Sequence, residues 1–389
     1  MSNPTADAII IGAGVHGASL AFHLSLRGLK PVVLERRFLA SEASGYSSGL
    51  VRMHYDLELE SRLAWDSFQY FRSWSEIVSG DCGFTRTGFI QLAQSQHNDH
   101  LQHNVAMQQR LGIPTLLITG DDVSRLAPSL FVNDFEFAAY EPESGYADPT
   151  STTRTLMDAA RQRGARLIQE CQVTGIRINS DRVTGVNTDH DRFDSPIVIN
   201  AAGAWAAWVA SMAGVDLPVK TWRHETMFVR RPLDFGPAHP TVIDDINSMY
   251  FRPETGNLTL VGLEDGNTRG ESPEENTGKA HPGFVERAIE RLTRRIPALE
   301  NGSLHSTLAG FDGVTPDGHP VLGPAGPDGF YLDCGFSGTG FKIAPAVGSN
   351  LVDWIVDGEP GSIDITAFSP GRFTTGNLIV SQYSYDKVF

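Results

Sequence analysis

Three glycines and one acid near the start of the chain have the spacing of a dinucleotide grip. Gly12, Gly14 and Gly17 follow the apolar run 8–11, and Glu35 follows Val32-Val33-Leu34, 23 residues after Gly12. A buried strand, a tight turn, a helix and a second strand ending in a carboxylate together bind a nucleotide diphosphate. Gly12 permits the turn. Gly14 lets backbone approach a pyrophosphate, and Gly17 lets the helix pack on the strand. Val15 and His16 open that helix, whose N-terminus favours negative charge. Glu35 is placed to accept hydrogen bonds from a ribose diol, with Arg36 beside it.

Such a grip serves nicotinamide and flavin dinucleotides alike. Three further segments favour a flavin. The loop 44–49, with Ser44, Ser47, Ser48 and Gly49 leading to Leu50, offers hydroxyl donors, little bulk and a permissive backbone. The strand 195–201 runs into Ala201-Ala202-Gly203-Ala204-Trp205, small residues that allow close backbone approach. Near the far end stands Gly335-Phe336-Ser337-Gly338-Thr339-Gly340-Phe341-Lys342, several glycines at the start of a helix. A second helix dipole aimed at a cofactor suits a flavin, because reduction places negative charge near its N1. Val173, on a strand of the same region, joins the candidate cofactor contacts.

The elements that hold these residues are legible in outline. Apolar spacing gives an amphipathic helix over 57–78, helices over 97–111, 122–126, 150–163 and 284–295, and one from Gly340 through Val356. Strands are expected at 84–93, 167–178, 182–188 and 195–201, with several more between 219 and 263. At 389 residues two domains are the default. A net charge of −15 argues against nucleic acid or an anionic membrane surface as a main partner, and means that an anion must be caught by local positive charge. No apolar run is long enough to span a bilayer, and no signal peptide is evident. Cys82, Cys171 and Cys334 stand far apart without a CxxC, and the twelve histidines form no ligand cluster. A reducing compartment, the cytoplasm, is therefore expected, with no disulfide and no metal site.

These segments, in this order, resemble the FAD-dependent D-amino-acid oxidase superfamily, on the sarcosine oxidase, dimethylglycine dehydrogenase and glycine oxidase branch. Two more stretches carry the likeness: 47–55, and Thr315-Pro316-Asp317-Gly318-His319-Pro320-Val321-Leu322-Gly323. The resemblance implies an α/β fold with a Rossmann-like FAD-binding domain of the glutathione-reductase type. That domain is discontinuous, over 1–80, 145–218 and 300–389. An interleaved α+β substrate domain, on a mixed or antiparallel sheet, takes 81–144 and 219–299. It implies oxidation of a CH–NH bond in a small anionic amine or N-substituted amino acid, with O2 or another electron acceptor. The imine product is then hydrolysed.

The family also assigns the site. An Arg after the Ser/Gly loop and a Lys closing the GFSGxGFK loop hold the substrate carboxylate there, and Arg52 and Lys342 stand at these positions. Lys342 is also a candidate stabiliser of the reduced flavin. Tyr55 matches a tyrosine that bonds the carboxylate or lines the pocket, with plain packing as its alternative. Tyr250 matches a pocket tyrosine; Arg252 faces the pocket or solvent, and His54 and His224 are candidates for pocket polarity. Asp312 is expected to cap a turn. Gly310 occupies the place of the flavin-linking Cys of monomeric sarcosine oxidases, so non-covalent FAD is expected. The stretch 257–262 lacks the Lys that activates oxygen in those oxidases, which puts direct oxidase activity in doubt. Two other readings stay open: a flavoprotein subunit or assembly factor of a homo- or hetero-oligomer, and oxidation of a 2-hydroxy acid.

Overall fold

Ile9–Ile11 is buried at every residue, as the middle strand of a parallel sheet covered on both faces must be. In the computed structural model, which describes residues 5–385, it pairs in parallel with Val32–Leu34 on one side and Val198–Asn200 on the other. Arg166–Ile168 and Phe330–Cys334 extend this sheet in parallel, and Val321–Pro324 closes one edge antiparallel. Alternate side chains point to opposite faces. Ile10, Val33 and Ile199 pack under the helices Val15–Leu26, Pro149–Gln162 and Gly340–Asp357. Ile9, Ile11, Val32 and Leu34 pack against the three-stranded sheet Val173–Asn179, Arg182–Thr188 and Arg192–Asp194.

An eight-stranded sheet forms the other half. Its order is Ser303–Val314, Lys220–Arg230, Leu258–Leu263, Met249–Glu254, Thr241–Asp244, Phe89–Leu92, Phe137–Glu141, Leu116–Thr119. Only Thr241–Asp244 against Phe89–Leu92 is parallel, so the sheet is mixed. The helix Pro282–Arg295 buries Phe284, Ala288 and Leu292 against it. Their spacing of four is the apolar face of a helix that carries six charged residues besides.

Three expectations need correction. The helix expected over 57–78 breaks at Ser73, whose N–H turns to the Tyr70 carbonyl, and leaves Glu58–Arg72 and Trp74–Ile77. The strand expected over 167–178 is two. Glu170 has φ +54°, and the chain leaves the parallel sheet there to enter the three-stranded one. The strand Ser303–Val314 lies on the far side of the boundary drawn at 300. It pairs along its length with Lys220–Arg230, a partner eighty residues away that no local pattern announces. No helix among the described residues is long and apolar enough to cross a membrane, and no three of their His, Cys, Asp and Glu side chains cluster as metal ligands would.

Candidate active site

At the nucleotide end the glycines are required by contact. Gly12 has φ +107°, and a Cβ there would lie 2.5 Å from the Ala201 carbonyl oxygen. A Cβ on Gly17 would lie 2.0 Å from the Gly12 carbonyl oxygen. Ser44 Oγ accepts from Val15 N at 2.9 Å and crowds the space in front of Gly14. Glu35 lines the cavity and also braces the turn. Its two carboxylate oxygens accept from Ala13 N at 2.9 Å and Arg37 N at 2.8 Å, which fixes the turn, while further lone pairs face the cavity. Gly12, Gly14, Val15, His16, Glu35 and Arg36 line this cavity, as do Ser44, Ser47, Val173, Ala201, Ala202, Gly203 and Trp205. Gly17 and Gly49 do not line it. Gly17 holds helix to strand, and Gly49, at φ +67°, packs on the Ala147 carbonyl. At the rim Arg36 stacks on Trp205 at 4.0 Å, and both reach the Glu274 carboxylate.

A second cavity continues from the first. The two share Ala43, Ser47, Phe311, Asp312, Gly338 and Phe341. Gly340 lies at the nucleotide end, while Ser48, Leu50, Thr339 and Lys342 lie at the other. The turn expected at Asp312 is strand instead, paired at Trp222, and the carboxylate ties down the neighbouring glycine-rich turn 335–340. Its Oδ1 accepts from Gly313 N at 2.7 Å and its Oδ2 from Gly338 N at 2.6 Å.

Arg52 and Lys342 both line this second cavity, and both are buried, at 4% and 6% exposure. The Arg52 guanidinium lies 4.4 Å from the Tyr55 ring and donates to the His54 carbonyl, while its Nε has no hydrogen-bond partner. Lys342 Nζ lies 5.5 Å from the same ring and donates to the Thr339 carbonyl at 3.3 Å. Two cations thus share one aromatic platform at the cavity wall. Behind them the buried Glu141 carboxylate accepts from Met53 N and Ser144 Oγ. Burial holds it above the usual carboxylate range.

Tyr250 lines the cavity, and Gly262 makes room for it across the strand pair: a Cβ at Gly262 would lie 2.3 Å from its hydroxyl. Burial raises its phenol, which therefore stays neutral. His224 lines the cavity too; burial lowers its pKa, against the pull of Asp312, and its Nε2 lacks a hydrogen-bond partner.

Three other placements differ from expectation. Tyr55 lies beneath the cations and faces a smaller cavity on their other side, because its ring is spent as their platform. His54 is buried away from the cavity between Gln108 and Tyr385. Arg252 faces neither pocket nor solvent: it stacks on Tyr146 and donates to the Ser48 carbonyl at 2.5 Å, pinning the Ser/Gly loop. Glu141, Glu274 and Tyr385 escaped the sequence reading because each is a single polar residue in a segment without a motif.

A glycine-rich turn, an acid at the end of the second strand lining the cavity and a continuous cleft ending in a cation pair define a dinucleotide-dependent oxidoreductase. The chain belongs to the family of FAD dependent oxidoreductases, whose model matches residues 7–354. It is 32% identical over 390 residues to human sarcosine dehydrogenase, covering 95% of this chain and 41% of that protein. It is 25% identical to sarcosine oxidase subunit beta of an Arthrobacter species, covering 96% and 92%. Its fold matches the crystal structure of L-proline dehydrogenase from P. horikoshii with a TM-score of 0.90, at 27% identity over 97% of this chain and 100% of that one. The chain thus spans about two fifths of the mitochondrial sarcosine dehydrogenases it resembles, but 92% of the Arthrobacter subunit and 100% of the P. horikoshii chain.

The cofactor is FAD, and the residues present fit it. The cleft has a glycine mouth at Gly14, where a Cβ would meet only the Ser44 hydroxyl at 3.0 Å, Glu35 lining its nucleotide end, and room beyond the shared neck for a ring system against Gly338 and Phe341.

Proposed function

We propose that this protein oxidises the C–H bond next to nitrogen in a small N-substituted amino acid of the N-methylglycine or proline kind. The observation that carries this reading is the pair Arg52 and Lys342, buried on one aromatic ring at the end of the flavin cleft in a chain of net charge −15. A cation pair held out of water in an acidic protein is a site for a single small anion. The relatives named for sarcosine, dimethylglycine, glycine and proline act on compounds that share a carboxylate next to an amine.

FAD, when bound, supplies the two-electron acceptor. The chain's part is to orient and to exclude water. Arg52 and Lys342 grip the carboxylate, so that the carbon bearing nitrogen is presented to the neck between the two cavities. Tyr250 and His224 close the sides as neutral groups, and neither is needed as a base. The amine must then reach the site uncharged, and the imine released is hydrolysed by water to a carbonyl compound and an amine. Turnover should accordingly rise with pH as the substrate deprotonates; a flat profile from pH 6 to 10 would count against the scheme.

A second reading has its own support. The Arthrobacter subunit is matched over nearly its whole length, so this chain also suits the flavin-bearing part of a hetero-oligomer that passes electrons onward. The missing Lys in Leu258–Leu263 fits an acceptor other than O2. The three buried free thiols suit a reducing compartment, and we place the protein in the cytoplasm. We also take the FAD to be non-covalent, since Gly310 offers no side chain for a link.

The test is an anaerobic titration of the purified protein with N-methylglycine, proline, dimethylglycine and D-alanine, then lactate. Bleaching of the flavin band by one of the first three supports the reading. Bleaching by lactate alone transfers the clamp to a 2-hydroxy acid. Admitting air afterwards separates oxidase from dehydrogenase.

A further inference from the structure

The residue that closes the wall around the carboxylate grip comes from the far end of the described chain. Tyr385 lines the substrate cavity with Arg52, and its hydroxyl is buried between two polar groups. Asn104 Nδ2 lies 2.9 Å from it, and His54 Nε2 lies 2.8 Å from it. On its other side the His54 ring meets Gln108 through Nδ1 and Oε1, at 2.9 Å. Gln108 Nε2 in turn donates to the Tyr55 carbonyl at 3.0 Å.

The direction of every bond in this chain is fixed from its ends. Asn104 Nδ2 also donates to the Tyr383 carbonyl, so the atom facing Tyr385 is the amide nitrogen. The Tyr55 carbonyl likewise fixes the Gln108 nitrogen, which leaves Gln108 Oε1 to accept from His54. His54 therefore carries its proton on Nδ1, and its Nε2 accepts from the Tyr385 hydroxyl. Asn104, Tyr385, His54 and Gln108 form a single donor-to-acceptor run into the backbone at Tyr55. All four side chains are buried, at 1%, 6%, 1% and 0% exposure. Arg52 donates to the His54 carbonyl and lies on the Tyr55 ring, so the segment this run immobilises is the one that aims the guanidinium.

We propose that Tyr385 is a positioning residue for the carboxylate grip: its hydroxyl holds His54, and through the 52–55 backbone it sets where Arg52 points. The inference rests on the reading of Arg52 as a carboxylate ligand. Loss of the hydroxyl leaves a buried imidazole nitrogen without this partner, and the segment shifts to find another. The ring of Tyr385 fills the wall, so Tyr385→Phe keeps the shape and removes only the bond.

The experiment titrates the FAD-loaded full chain with acetate, a carboxylate that cannot be oxidised, and reads the perturbation of the flavin spectrum. Acetamide, of the same shape without charge, is the control. In Tyr385→Phe the acetate Kd should rise about tenfold while the acetamide signal stays unchanged. The KM for N-methylglycine should rise by a similar factor with kcat within about twofold, and FAD affinity should match the parent. Gln108→Met cuts the same run at its other end and should give the same split. An unchanged acetate Kd in both variants overturns the proposal alone. Equal weakening of acetate and acetamide also overturns it, by assigning Tyr385 to cavity shape. If acetate leaves the parent spectrum untouched, the carboxylate grip itself falls, and this inference with it.

Discussion

Arg52 and Lys342 are held where cations are costly to hold. Each donates to a main-chain carbonyl and rests on Tyr55, and the Arg52 Nε, which has no hydrogen-bond partner, is left to an incoming anion. Hydrogen bonds to a charged group contribute about 1.5–3 kcal/mol, or roughly 10- to 100-fold in binding. Replacing Arg52 by Met keeps much of the bulk and deletes the charge. Its KM for N-methylglycine should rise by roughly that factor, while the KM for an amine lacking the carboxylate, such as N-methylethylamine, should barely move. Steady-state kinetics on the two substrates decides it, and an equal effect on both removes Arg52 from the grip. The same logic explains why His54 and Tyr55, singled out beside Arg52, serve it from behind. A cation at a cavity wall needs a fixed support, and residues two and three positions along the chain are the nearest available.

At the scale of elements, the turn from Ile9–Ile11 into Val15–Leu26 depends on contacts that admit no side chain. At Gly17 the obstacle is the Gly12 carbonyl, a backbone group with no room to turn aside. Gly17→Ala should therefore destabilise the protein by about 1–3 kcal/mol, and should weaken FAD retention by pushing the helix off the strand. Thermal melting with and without added FAD measures both, and a parent-like melting curve would show that the helix can shift freely. This motif was fully legible because it is local: its strand, turn, helix and acid follow one another within 35 residues. So was the turn Gly335–Lys342, for the same reason. The strand Ser303–Val314 was misplaced because its identity depends on pairing with Lys220–Arg230, and pairing across eighty residues leaves no periodic trace. Glu274 illustrates the same limit at the site. It meets Arg36 and Trp205 at the rim of the nucleotide cleft, from three segments that only folding brings together. The break at Glu170 of the strand expected over 167–178 was equally hidden, since a positive φ at a glutamate carries no sequence signal.

For the whole molecule, two buried histidines govern its response to acid. His23 lies in Val15–Leu26 against the helix Gly340–Asp357, and His239 lies in the other half beside Thr259 and Phe251. Burial lowers both to about 4, because an imidazolium has no solvation in either place. Near 6.5 the unfolded chain binds protons at these positions that the folded chain refuses. Stability is then complete above 6.5 and is lost as pH falls from 6.5 towards 4, by about 3 kcal/mol for each histidine. His319 has the opposite sign. Burial disfavours its charge, but Glu60 at 3.2 Å and Asp317 outweigh that and hold its pKa above the ordinary value. Its contribution is present below 6.5 and is lost as pH rises through its folded value. One favourable histidine does not offset His23, His239 and the likewise lowered His224, so melting temperature should fall steeply between pH 6.5 and 4. His23→Leu should remove its share of that slope. Because His23 and His239 sit in different halves, the shape of the transition also reports how the halves are joined. The shared neck of Ala43, Ser47, Phe311, Asp312, Gly338 and Phe341, with Arg252 gripping the Ser48 carbonyl, couples them through the FAD cleft itself. A single acid transition that His23→Leu displaces as a whole is the expected result by circular dichroism with flavin fluorescence. Two separated steps, with only one sensitive to His23, would mean that the halves unfold independently and that the cleft is held together by the cofactor alone.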